Sequence, residues 1–393
     1  MRSEVPPRAG GFSLLEVVIA TALTTVLVAG VFALVNPTQG AFATEPEVAD
    51  MQQRLRVAVD TLRRDLATAG AGADIAGRTG SLIGFFAPLL PFREDPGRED
   101  AIGTVRTDTV TAIGVPATAA QTTLAADLLP GVLTLQAVAE PGCSPGTNLC
   151  GFSPGLTVAI YDDTGTFGVF TVAAVTDAAA QITLTARSAR SSSTTYRSGS
   201  NVVQVRVHTF TLKSNPATRT FQLMHADGSA GADVPVVDHV VGLAFDYDAE
   251  PRPPSLPAGT AGYGPSPPPI GVQTTAYPAG ENCAFQIDPV SGEQVPRLPA
   301  LAAGTALVPL TAARLSDGPW CPDETNGNRW DADLLRIRAI GVTIRVEAAL
   351  SALRGPAGVL FTNGGSSNSP GRWAADQQIR FRVSPRNMNP VWP

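Results

Sequence analysis

The sequence predicts an α+β protein: a long N-terminal α-helix, membrane-spanning in its first half, followed by a large β-rich globular head with Pro/Gly-rich loops. Three observations carry this expectation. Leu14 to Val35 form an apolar run whose single charged residue is Glu16. Residues 45–70 repeat apolar side chains every three or four positions, the spacing of one helix face. From about residue 80 onward, β-branched runs alternate with Gly, Pro, Asp and Ser, the punctuation of a strand-rich domain.

The first element is long enough to cross a bilayer, since roughly 22 residues at 1.5 Å rise cover about 33 Å. Glu16 sits near its start. A carboxylate in hydrocarbon is costly, so it marks a function by default and calls for a partner. Cleavage between Gly11 and Phe12 would create an α-amino group four residues before Glu16. After assembly, the amine of one subunit would then meet the carboxylate of its neighbour. Two alternatives compete for this segment. One is a secretory signal cut after Ala41-Phe42-Ala43, disfavoured because such signals have an apolar core of about 7–15 residues without an acid. The other is an uncleaved anchor.

The string GGFSLLEVVIA at Gly10 to Ala20, with Arg2 and Arg8 ahead of it, resembles the class III signal of type IV prepilins and type II secretion pseudopilins. Glu4 and Pro6-Pro7 make this leader less basic than usual. The resemblance implies cleavage after Gly11 by a prepilin peptidase, N-methylation of Phe12, and a role for Glu16 in guiding filament assembly. It also implies single-pass insertion in the inner membrane with a periplasmic head, and major and minor pilins as partners. The segments QQRLRVAVDTLRRDLATAG, WDADLLRIRAIGVTIRV and DQQIRFRVSPRNMNP look like PilW-type minor pilins, which implies a subunit priming pilus assembly near the filament tip. A minor pseudopilin and a pilus-borne adhesin are the rival expectations. The expected domains are 1–11 for the leader, 12–36 for the membrane and assembly helix, 45–70 for its amphipathic continuation and 71–393 for the head.

Asn36-Pro37 and Gly40 are expected to interrupt the helix, because Pro removes a donor and Gly loosens the backbone. Helical character should resume at Pro46, where Glu45 and Glu47 suit a helix start, and end at Gly70 and Gly72. Met51, Leu55, Val59, Leu62 and Leu66 form one apolar stripe that predicts packing on the head. Arg54, Arg56, Arg63 and Arg64 lie mostly off it, with Asp60 and Asp65 as available partners.

In the head, strands are expected over Thr109–Val115, Val132–Val138, Leu156–Tyr161, Phe167–Val175, Gln181–Arg187, Val202–Lys213, Arg219–His225, Val236–Tyr247, Leu334–Leu350 and Gln377–Val383. Ile379, Phe381 and Val383 should face inward, with Arg380 and Arg382 outward. In the Leu334 strand, Leu335 and Ile337 share one phase whereas Ile340, Val342, Ile344 and Val346 share the other. This predicts a bulge or break around Ala339–Gly341, or else burial on both faces. The Pro-rich stretch at 250–280 reads as a surface excursion, partly disordered, since it cannot sustain a helix or a central strand.

Four cysteines in an exported chain point to two disulfides. Local closure favours Cys143 with Cys150 and Cys283 with Cys321, although four cysteines allow three connectivities. Zinc on these thiols is disfavoured, as neither pair has CxxC spacing and no histidine is near in sequence. Asp323, Asn326, Asn328, Asp331 and Asp333 make one oxygen-rich loop, which a Ca²⁺ ion could use, although its spacing is not that of an EF-hand. The competing reading is a hydrated, disulfide-tethered turn. His208, His225 and His239 read as structural or surface residues, because no catalytic motif accompanies them; no enzyme activity is expected. Net charge is −6, from 28 basic and 34 acidic residues, so nothing global favours nucleic acid. Arg336, Arg338, Arg345, Arg380 and Arg382 would be a basic patch if exposed together, but they read as solvated strand faces.

Overall fold

The computed structural model describes the chain from Gly11 to Met388 apart from residues 76–77, 92, 94–105, 118, 141, 188, 217–219, 229–232, 257–263, 355–356, 359–364 and 367–373. Residues 1–10, with Arg2 and Arg8, lie outside the described residues. An N-terminal helix leads into a head of several antiparallel sheets, the α+β arrangement expected.

The helix, α1, runs from Leu14 to Leu66 without a break, 53 residues in all. At 1.5 Å per residue it is about 80 Å long. The interruption expected at Asn36-Pro37 and Gly40 is therefore absent. Pro37 removes only one backbone donor, and long helical runs on both sides hold the segment in register. The C-terminal half of α1 is built into the head. Met51, Leu55, Val59, Leu62 and Leu66 are all buried, and burial of such side chains stabilises by about 1.5–3 kcal/mol each. Polar anchors flank this stripe. Glu47 Oε2 accepts the Ala349 N–H at 2.8 Å, Arg54 Nε lies 3.2 Å from Asp238 Oδ1, and Arg63 stands over the Phe381 ring. Helical structure stops at Leu66, before the expected Gly70. The chain turns through 67–70, and Gly70, at φ +83°, donates its N–H to Ile113 O at 2.9 Å.

Two sheets pack under this half of α1. One has five strands in the order Val234–Asp238, Thr220–Ala226, Arg206–Asn215, Thr109–Gly114, Leu89–Pro91. The other has four: Val308–Leu310, Val240–Ala249, Ile337–Val346, Gln377–Val383. A third sheet of six strands, in the order Gln121–Thr123, Asn201–Gln204, Thr157–Tyr161, Phe167–Thr176, Gln181–Ala186, Thr134–Gln136, stands beside them. Its two faces feed two cores. Ala159, Tyr161, Phe167, Val169 and Val203 join the main core with α1. Val158, Ile160, Phe170, Val172 and Val202 form a second core with Leu135, Ile182 and Leu184. Alternation along each strand explains this division, because successive side chains point to opposite faces.

Two expected strands are each divided between sheets. Val202–Lys213 separates at Val205 into Asn201–Gln204, in the six-stranded sheet, and Arg206–Asn215, in the five-stranded sheet. Val236–Tyr247 separates at His239, whose φ of +53° turns the chain from the five-stranded to the four-stranded sheet.

Ile337–Val346 is buried on both faces, and pairing is regular across Ala339–Gly341, so no bulge lies there. The irregularity sits just upstream: Asp248 pairs with Ala339 and Ala249 with Ile337, which leaves Arg338 as the extra residue. Leu335 belongs to a 3₁₀ turn at Ala332–Arg336, and its phase is not that of the strand. On Gln377–Val383, Phe381 and Val383 are buried and Ile379 partly so, whereas Arg380 and Arg382 are exposed.

Arg336, Arg338 and Arg345 are buried and do not present solvated strand faces. Their partners come from distant segments that periodicity does not show. Arg336 Nε lies 3.1 Å from Asp333 Oδ1, Arg338 Nη2 lies 3.1 Å from Glu250 Oε2, and Arg345 pairs with the fully buried Asp376 side chain. Removal of one partner from such a pair is strongly destabilising, because an uncompensated charge stays buried. Arg380 and Arg382 are exposed but paired, with Asp246 and Asp248. In the Pro-rich stretch, Pro251, Pro254, Pro265 and Pro268 are buried, so its described part packs on the head and does not extend from it.

Candidate functional site

The N-terminus of α1 is built as a capping box. Ser13 is extended, with φ −77° and ψ 151°, and its Oγ accepts the Glu16 N–H at 3.2 Å. In return Glu16 Oε2 accepts the Ser13 N–H at 2.8 Å. Two donors that a helix start leaves open are thereby satisfied. The same bonds hold the Glu16 carboxylate beside the Phe12–Ser13 peptide. A carboxylate has two oxygens and about four acceptor sites, so Glu16 retains capacity for a second donor while capping. The signal for Ser13 in the sequence is the S-x-x-E spacing of Ser13 and Glu16.

Beyond the cap, Leu14–Ala33 has a mean hydropathy of 2.2 and is 0 % buried. Its hydroxyls are satisfied internally: Thr21, Thr24 and Thr25 donate to the carbonyls of Val17, Ala20 and Thr21 at 2.9, 2.7 and 2.7 Å. That is the state hydrocarbon requires of polar groups. Phe12, Glu16, Ala20, Thr21, Thr24 and Val28 line a shallow concave face along the helix. Small residues there let another helix approach closely.

The oxygen-rich loop of the head is arranged otherwise than as one cation set. Asp323 Oδ1 accepts the N–H groups of Thr325 and Asn326 at 2.9 and 3.1 Å, which closes a local turn. Asn326 Oδ1 accepts the Asn328 N–H at 2.9 Å. Asn328 reaches away to donate to Phe167 O at 3.1 Å and Ser191 Oγ at 3.2 Å. Asp331 accepts the Asp333 N–H at 2.8 Å and the Gly318 N–H at 2.6 Å. Asp331 and Asp333 gather with Asp317, while Asp323 stands outside that group. Burial pushes the Asp331 carboxyl up to about 7, against the two N–H groups it accepts and with a further rise from the charges of Asp333 and Asp317. Burial also raises Asp333, with Arg336 opposing it.

The cysteines pair as Cys143–Cys150 and Cys283–Cys321. The second bridge ties the start of the oxygen-rich loop to the end of the Pro-rich stretch. A polar cavity of about 700 Å³ opens beside that loop, lined by Asp162, Thr166, Thr194, Arg197, Thr274 and Asn326 among others. Of the histidines, His239 Nδ1 lies 2.9 Å from Arg354 Nη2, whereas His208 and His225 face each other beside Asp65. Burial lowers the pKa of His208, with Asp65 opposing the shift and His225 adding to it.

Residues 6–32 match the model of the prokaryotic N-terminal methylation motif. With the exposed apolar helix and the capped glutamate, this identifies the N-terminus as a type IV pilin or pseudopilin class III signal peptide. The motif supports a type IV pilin-like or pseudopilin protein, a class whose members are structural subunits processed by prepilin peptidase and assembled with other pilins. Comparison with curated proteins and with solved structures finds no match.

Proposed function

We propose that this chain is a PilW-like minor type IV pilin that primes pilus assembly at or near the filament tip. Prepilin peptidase cuts it after Gly11, Phe12 is N-methylated, and the helix holds it in the inner membrane with the head in the periplasm. One observation carries the reading. The first half of α1 is apolar and 0 % buried, yet it continues without a break into a half that is built into the head. A helix apolar all round with no partner among the described residues fits a membrane first and neighbouring helices afterwards. Glu16, held at the helix start by Ser13, pairs with the Phe12 amine of a neighbour as the filament leaves the bilayer. The head, residues 71–393, is bulky for a subunit repeated throughout a helical lattice, which favours a minor subunit. Retention of Glu16 also argues against the tip pseudopilin class that lacks this residue.

Glu16→Ala should leave export and cleavage intact but weaken association with partner minor pilins and reduce piliation. Undiminished co-purification and normal piliation in that variant would remove the role of Glu16. A minor pseudopilin of a type II secretion system shares the same helix. Deletion of the chain would then abolish secretion and leave pili unchanged. The polar cavity beside Arg197 favours one further reading, a pilus-borne ligand-binding subunit. Arg197→Ala would then reduce adhesion while piliation stays normal.

A further inference from the structure

We propose that Asp65, His208 and His225 form a binding site for a divalent transition-metal ion, best matched to Zn²⁺, which clips the end of α1 to the five-stranded sheet. The three residues come from separate segments. Asp65 lies in the last turn of α1, His208 on Arg206–Asn215 and His225 on Thr220–Ala226. Phe210 pairs directly with His225, so His208, two residues earlier on the same face, is its diagonal neighbour.

The separations are those of ligands around one ion. His208 Nδ1 and His225 Nε2 are 3.0 Å apart, and Asp65 Oδ2 lies 3.7 and 3.6 Å from them. The last two distances are too long for hydrogen bonds but near the edge of a tetrahedron around zinc, about 3.3–3.6 Å for bonds of 2.0–2.2 Å; the two imidazole nitrogens, at 3.0 Å, would part by a few tenths of an ångström to reach it. A point equidistant from the three atoms lies about 2.0 Å from each. An ion 2.1 Å from all three would stand about 0.6 Å out of their plane, close to the ~0.7 Å of a regular tetrahedral site. The fourth position is then left open on that side for water or a partner's side chain.

The surroundings favour a cation there. The two imidazole planes lie within 10° of each other with centroids 5.2 Å apart. With facing nitrogens at 3.0 Å, the rings meet edge to edge with their nitrogens aimed at each other, so both must turn toward Asp65 to point their lone pairs at one ion. In the metal-free protein, one nitrogen donates its proton to the other; the ion takes the place of that proton. Phe210, fully buried, stacks on the His225 ring at 4.8 Å and fixes its plane. Asp65 is 7 % exposed and sits where the C-terminal carbonyls of α1 make the potential negative. Arg64 Nε already lies 3.3 Å from Asp65 Oδ1, and an ion on Oδ2 would add to that compensation. Two imidazoles and one carboxylate suit a borderline metal such as zinc better than Ca²⁺ or Mg²⁺, which prefer all-oxygen sites.

The test uses the detergent-solubilised full chain, free of any metal-binding tag and stripped with chelator, titrated with Zn²⁺ by calorimetry and with Co²⁺ by visible absorption. One equivalent of Zn²⁺ should bind, Co²⁺ should show the intense bands of a tetrahedral ion, and Ca²⁺ should not compete. His208→Gln and His225→Gln, each confirmed as folded by circular dichroism, should weaken Zn²⁺ at least about 100-fold. His239→Gln, outside the cluster, should bind as wild type. Absence of stoichiometric binding by the wild type would overturn the proposal. So would equal binding by both folded glutamine variants, which would leave the pair as a proton-sharing contact only.

Discussion

Replacement of Asp331 by Asn should flatten the pH dependence of the head's stability between pH 3.8 and about 7. Burial raises this carboxyl from 3.8, its unfolded value, to about 7. Below the lower value the acid is protonated in both states and contributes nothing to the pH dependence. Between the two values it ionises in the unfolded chain while the folded chain keeps its proton, so folding loses stability as pH rises. Above about 7 both states are ionised and the loss is complete. A tenfold difference in acidity is worth 1.36 kcal/mol, so the full loss is about 4 kcal/mol. Asn is neutral throughout and keeps one acceptor oxygen for Gly318 N–H or Asp333 N–H, at a pH-independent cost of about 1 kcal/mol for the bond it forgoes. Urea unfolding of both proteins at steps from pH 4 to pH 8 gives the difference curve. Trp330, adjacent and buried, is the natural fluorescent reporter. Wild type should be the more stable protein at pH 4 and lose ground by about 4 kcal/mol by pH 8. Parallel curves would refute the argument that burial outweighs the two accepted N–H bonds at Asp331.

Leu62, on the head-facing side of α1, is fully buried, and Leu62→Ala should cost about 3–5 kcal/mol in the same unfolding assay; a cost below 1 kcal/mol would mean that α1 is not fixed to the head there. The disulfide Cys283–Cys321 closes a separation of 38 residues and Cys143–Cys150 one of 7, so loop entropy assigns about 4 and about 2 kcal/mol to them. Paired Cys→Ser variants should rank in that order, and the reverse order would show that constraint of the unfolded chain is not the dominant effect. Gly11→Leu should leave the leader attached, and normal processing of that variant on a gel of membrane fractions would contradict cleavage after Gly11.

Local patterns carried much of this architecture, and long-range ones did not. The stripe from Met51 to Leu66 was legible because one face of a helix repeats every three to four residues, and those same residues are buried. Gln377–Val383 was legible through its alternation. The two divided strands were not, because β-branched periodicity continues smoothly through Val205 and His239 while the chain changes sheets. The burial of Arg338 and Arg345 is not legible for a related reason: a charge looks solvated until its partner is known, and Asp376 and Glu250 lie on other segments. The Asn36-Pro37 signal was real but weak against 53 residues of helix. At the N-terminus, Glu16 was conspicuous as one acid in an apolar run, whereas Ser13 is an ordinary residue until its bonds to Glu16 are seen. The histidine pair was invisible as a cluster, since Asp65 and His225 are brought together only by the docking of α1 on the sheet.

The measurement closest to the central claim is intact-mass and N-terminal analysis of the protein extracted from the membranes of its native host. A chain that begins at Phe12 and carries one added methyl group is the predicted result. A chain that begins at Thr44, or one that keeps Met1, would contradict processing as a pilin, and the assembly role of Glu16 would fall with it.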